Sequence, residues 1–154
     1  LKANAGLQLD LQAHLEQRKP VWAECGGMVA LAEGLTDLDS RWHSLWGLLP
    51  AQAVMHQRLA GLGMQQLLTP WGMLRGHTFH YSKLQSEAQE VARSSRPGQA
   101  AESGKGEAVY QQGSIHASYF HAWFPSCPQA VAALLGVDMP VVNPQAWHRE
   151  ALNA

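Results

Sequence analysis

An α/β fold, a flavodoxin-like doubly wound sheet, is what the sequence predicts, and three observations predict it. Residues 7–18 carry apolar side chains at helical spacing. Pro20-Val21-Trp22-Ala23 is a short apolar run of the kind found in buried parallel strands, and Cys25-Gly26-Gly27 makes a sharp turn into a second helical segment. Helix, buried strand, tight turn and helix in succession form the unit from which such sheets are wound.

In the first segment Leu7, Leu11 and Leu15 share one side, with Gln8, Gln12 and Glu16 beside them. The helix must end before Lys19-Pro20, because a residue preceding proline is pushed out of the helical region. Met28 to Glu33 follows as a helix with Gly34 as its stop. From Trp46 onward the pattern changes. Leu48–His56, Gly63–Thr69, Leu74–Leu84, Gln89–Ala92 and Ala108–Gln112 read as strands separated by Gly, Pro and Ser. Ser94–Gly106 is polar and contains Pro97, Gly98 and Gly104, which predicts a loop. A last strand, Ile115–Trp123, precedes a short helix, Gln129–Leu135, that closes at Gly136. Residues 137–154 show no period and take no assignment. Trp42, Trp46, Trp71 and Trp123 are expected as core or interface aromatics.

A chain of 154 residues, 46% of them hydrophobic, suffices for one compact domain, and residues 1–154 are assigned to it. Net charge is −1 and 15% of residues are charged, so there is no basic field for nucleic acid. No apolar run approaches the roughly 20 residues of a membrane span. Leu1-Lys2-Ala3-Asn4 carries no targeting features, and a cytoplasmic location is expected. Because the first residue is not Met, the chain is expected to be an N-terminally truncated piece of a longer protein. The eight histidines are scattered, with His77/His80 and His116/His121 the only close groupings. They offer no four-ligand spacing, so no metal site is expected. Neither Cys25 nor Cys127 stands in a CxxC spacing; each is a small buried hydrophobe or a reactive thiol.

The context of Cys25 favours the thiol. Ala23-Glu24-Cys25-Gly26-Gly27 between a strand and a helix has the form of a nucleophile elbow, in which small neighbours allow a crowded turn. The following helix start is expected to favour the thiolate, and the Gly26 N–H to donate to an oxyanion. Cys127 is expected as a bystander. The candidate base is His121, 121 − 25 = 96 positions downstream near the end of an apolar segment; a hydrogen-bonded strand histidine is the alternative. Glu24 and Gly27 are candidates for elbow support or substrate contact. His80 and Tyr81 are candidates for the active-site edge or a domain interface.

Three blocks now carry a resemblance. Pro20-Val21-Trp22-Ala23-Glu24-Cys25-Gly26-Gly27-Met28, Gly76-His77-Thr78-Phe79-His80-Tyr81-Ser82 and Ala117-Ser118-Tyr119-Phe120-His121 resemble, in order, the C-terminal class I glutamine amidotransferase domain of the cobyrinic acid a,c-diamide synthases. The two histidines before Tyr81-Ser82 favour this family over the related cobyric acid synthases. The resemblance implies that Cys25 is the glutaminase nucleophile and His121 its catalytic histidine. It also implies that the domain, itself without cofactor, passes ammonia to a preceding synthetase domain. That partner would bind ATP, magnesium and a corrin precursor and amidate the a and c acetates of cobyrinate or hydrogenobyrinate. No GxxxxGK[ST] element occurs here, and the family's upstream Gly-Gly-Tyr loop is missing from these residues. Many class I enzymes carry glutamate two residues after the histidine; Trp123 stands there, which implies a Cys–His dyad. The competing readings are another class I amidotransferase, a different thiol hydrolase, and a non-catalytic docking module of the same fold.

Overall fold

A computed structural model describes residues 4–100 and 106–137. Helix α1, Ala5–Glu16, starts where Asn4 Oδ1 accepts from the Leu7 N–H at 3.1 Å. Its Leu11 and Leu15 lie against the core, while Leu7 and Leu9 stay exposed. Strand β1, Val21–Glu24, leads directly into α2, Gly26–Leu31.

Three sheets follow from the remaining strands. β2 is Gly34–Thr36, β3 Trp42–Ser44, β4 Ala51–Met55, β5 Gly61–Thr69, β6 Gly72–His80 and β7 Ser82–Ser86. β8 is Gln89–Arg93, β9 Ala108–Gln112, β10 Ile115–Ser118 and β11 Phe120–Ala122. The first sheet has the order β1-β10-β9-β8, the second β11-β6-β5 and the third β3-β2-β4-β7. A 3₁₀ turn at Phe124–Ser126 precedes helix α3, Pro128–Leu134. No described helix is long and apolar enough to cross a membrane.

The α/β class holds, as strand-rich mixed sheets with few helices. β1 runs parallel to β10 with Val21 opposite Ile115 and Glu24 opposite Ser118, and β2 runs parallel to β4. The other ladders among the described residues are antiparallel. Ala23, Met28, Leu31, Leu49, Ile115 and Ala117 form one core beneath the elbow. Leu67, Leu74, Val109, Phe120, Cys127 and Ala130 form a second, between β11-β6-β5 and α3.

Three expectations change. The single strand Ile115–Trp123 is two strands, divided at Tyr119. Ser118 Oγ donates to the Ala108 carbonyl at 2.7 Å and accepts the Phe120 N–H at 3.0 Å, so the chain leaves one sheet and enters another. Leu74–Leu84 likewise divides at Tyr81 into β6 and β7. Gly34 does not stop α2, which has already ended at Leu31; it opens β2. A Cβ there would lie 2.1 Å from the Trp42 ring, so only glycine admits that close approach. Of the four tryptophans expected in the core or at an interface, Trp46 packs against a core, while Trp42, Trp71 and Trp123 are exposed. The loop Ser94–Gly106 begins with buried Ser94 and Ser95, and Ser95 bridges to Gln66. Its residues 101–105 lie outside the described residues, as does the unassigned tail from 138 to 154.

Candidate active site

Cys25 sits between β1 and α2 with φ 48° and ψ −109°. A side chain other than glycine held there costs about 1–3 kcal/mol, and such strain persists only where surrounding bonds enforce it. Here the Cys25 N–H donates to the Ser118 carbonyl at 2.8 Å, and the Cys25 carbonyl accepts from Val29 at 3.0 Å. The half-buried thiol reaches the Phe79 carbonyl at 3.9 Å.

Two expectations about this turn are corrected. Gly26 and Gly27 are not crowded: a Cβ built on either meets nothing within 4 Å. The helix start also fails to make the thiol acidic. Burial pushes its pKa up, and the negative charges of Glu107 and Glu24 push the same way. The Gly26 N–H opposes them without reversing the rise.

His121 lies on β11 opposite His77 of β6, and the two rings stack with centroids 4.9 Å apart and planes within 9°. Its Nδ1 is 3.7 Å from Glu24 Oε2. The other oxygen of that carboxylate, Oε1, accepts the Ala122 N–H at 2.8 Å and the Trp22 Nε1–H at 2.6 Å. The residue immediately before Cys25 thus fastens the elbow to the strand that carries His121. On one side a cavity of about 430 Å³ is lined by Met64, Arg75, Gly76, His77, His121, Ala122 and Trp123. On the other a depression of about 440 Å³ includes Trp22, Glu24, Gly26, Gly27 and Trp46. Neither lining includes Cys25 itself.

His80 has a different setting. It is buried, its ring stacks on Tyr119 at 3.7 Å, and both ring nitrogens face acceptors. Nδ1 lies 2.7 Å from the Ser82 carbonyl and Nε2 lies 3.0 Å from Glu107 Oε1. With both ring nitrogens paired inside the fold, this histidine is committed to structure. Glu107 also accepts from Thr78 Oγ1 at 2.9 Å. Burial would raise its pKa, but the bonds from His80 and Thr78 and the charges of His80 and Arg93 outweigh that and hold it below the ordinary value. Tyr119 is pushed up to about 12, by burial first, although its bond to Ser82 acts against the rise. Burial lowers the pKa of His116, whose Nδ1 is without a partner among the described residues. Tyr81 is exposed, and Cys127 is buried with its sulfur 3.6 Å from the Trp71 carbonyl.

Sequence reasoning missed Glu107, Tyr119 and Ser82. Glu107 stands alone after a polar loop, and no local spacing links it to His80, 27 positions earlier.

The family model of the CobB/CobQ-like glutamine amidotransferase domain matches residues 1–128. Hydrogenobyrinate a,c-diamide synthase of Stutzerimonas stutzeri is 45% identical over 135 residues, covering 88% of this chain and 31% of that protein. Cobyrinate a,c-diamide synthase of Herminiimonas arsenicoxydans is 43% identical over 127 residues, covering 82% and 28%. Hydrogenobyrinate a,c-diamide synthase of Pseudomonas aeruginosa is 42% identical over 135 residues, covering 88% and 30%. The chain spans under a third of the length of these relatives.

Proposed function

The chain belongs to the CobB/CobQ-like glutamine amidotransferase domain family, and from that premise we propose that Cys25 cleaves the carboxamide of glutamine with His121 as its base. The observation that carries this reading is the strained elbow at Cys25, bonded through Ser118 and Glu24 to the segment bearing His121. Strain of this kind is kept where it presents a reacting group.

His121 takes the Cys25 proton as the sulfur attacks the carboxamide carbon. The Gly26 N–H donates to the oxyanion, together with a group outside this chain. The tetrahedral intermediate collapses with breakage of the C–N bond, and His121 gives the proton to departing ammonia, leaving a glutamyl thioester. Water, deprotonated by His121, then attacks the thioester; glutamate leaves and the thiol is restored. Glutamine and water are consumed; glutamate and ammonia are formed.

The ammonia serves a synthetase domain that uses ATP and magnesium. The substrate of that domain is cobyrinate or hydrogenobyrinate, amidated at the a and c acetates. Support comes from the names of the relatives and from their length, of which this chain spans 28–31%. The test is Cys25→Ala in the full-length protein. Glutamine-dependent amidation is expected to vanish while ammonia-dependent amidation continues. Glutamine-dependent synthesis that survives the substitution refutes the assignment. A glutamine-analogue electrophile should label Cys25 stoichiometrically, which a docking module would not allow.

A further inference from the structure

We propose that Glu24, the residue before the nucleophile, is the carboxylate that positions His121, completing a Cys–His–Glu relay from within the elbow. This rests on the glutaminase reading above. Its basis is the division of labour between the two oxygens of Glu24. Oε1 is committed to structure, accepting the Ala122 N–H at 2.8 Å and the Trp22 Nε1–H at 2.6 Å. Oε2 has no hydrogen bond among the described residues and lies 3.7 Å from His121 Nδ1. The Ala122 bond is made by the residue next to His121, so the carboxylate is aimed by the same strand it serves.

The chemistry needs such a group. A carboxylate opposite Nδ1 selects the tautomer with its proton on Nδ1, leaves Nε2 free to accept, and stabilises the imidazolium formed when the thiol is deprotonated. The thiol of Cys25 is held above its ordinary pKa by burial, so less of it is thiolate at neutral pH. The gap at Nδ1 is ion-pair distance rather than a closed hydrogen bond, and catalytic contacts of this type shorten once substrate is bound. Trp123, two residues beyond His121, offers no carboxylate. Stacking on His77 fixes the plane of the imidazole, and Glu24 fixes which nitrogen holds the proton.

The test is Glu24→Gln in the full-length protein, beside Cys25→Ala. The glutamine oxygen can keep both Oε1 bonds, so the elbow and the melting temperature should persist. Its NH₂ faces Nδ1 and favours the opposite tautomer. Glutaminase kcat should fall roughly tenfold to a hundredfold, less than a serine triad loses because a thiol ionises more readily, with KM little changed. The midpoint of Cys25 alkylation by iodoacetamide against pH should move up, because the imidazolium that forms with the thiolate loses its counter-charge. Slower turnover with that upward shift, at an unchanged melting temperature, is an outcome that loss of structure does not give. An unchanged kcat while Cys25→Ala is dead overturns the role of Glu24 alone. A lowered melting temperature with an unmoved alkylation midpoint also overturns it, since Glu24 would then be only a strut. If Cys25→Ala still hydrolyses glutamine, the glutaminase reading itself fails.

Discussion

Cys25 and Glu107 show how burial and charge set chemistry residue by residue. With burial and two carboxylates raising the Cys25 pKa, less thiolate exists at neutral pH than at a free cysteine. The midpoint of the alkylation rate against pH is expected above that of the same thiol in urea; a midpoint below it contradicts the account. Glu107 carries a stability effect of opposite sense. Its folded pKa lies below the ordinary 4.5, so its stabilisation is full above that value and lost as pH falls through the folded pKa. Glu107→Gln weakens the contacts that Oε1 makes with His80 and Thr78, which should cost on the order of 1–3 kcal/mol in urea unfolding at neutral pH. The acid-side dependence of the melting temperature should also flatten. A variant as stable as the parent at pH 7 would show that the His80–Glu107 pair is not a stabilising contact.

At the scale of elements, the site depends on the break at Tyr119 and on the pairing of β11 with β6. Ser118 ends β10 by capping the Phe120 N–H, and three residues in the second sheet are enough to place His121 against His77. Gly76 makes that pairing close. A Cβ there would lie 2.0 Å from the His121 carbonyl and 2.7 Å from the Phe120 ring. Gly76→Ala should therefore push β11 away, costing about 1–3 kcal/mol as an overpacked substitution. Because misplacing a reacting group by about 1 Å can cost on the order of a hundredfold, glutamine turnover should fall well beyond what the stability loss explains. Near-normal turnover would mean that β11 tolerates the shift. Ser118→Ala is milder in bulk but leaves the Phe120 N–H and the Ala108 carbonyl unpaired.

At the scale of the whole molecule, the outer face of β11-β6-β5 is notable for what it leaves uncovered. Leu62, Met64, Leu68, Phe79 and Trp123 are all about half exposed or more, on the face that also carries His77 and His121. Apolar side chains gathered on one face suit contact with another protein surface rather than water. Leu68→Glu in the full-length protein should leave glutamine hydrolysis largely intact while lowering the amide formed per glutamate released. An unchanged ratio would separate this face from ammonia delivery.

Much of the site was legible in the residues themselves, because a nucleophile elbow is a local structure. An apolar strand before Cys25 and a helix after it are adjacent in the chain, so the sequence alone determined the turn that carries Cys25. His121 was reachable through a second block of sequence. The pairing of Glu24 with His121, the burial of His80 on Glu107 and the raised pKa of Cys25 were not. The two pairs join residues 97 and 27 positions apart, and the thiol's burial comes from packing between strands, so all three depend on strand registers. Local propensity encodes how the chain turns. Distance, burial and the balance of charges arise only when separate strands are packed together, so tertiary structure decided which carboxylate meets which histidine.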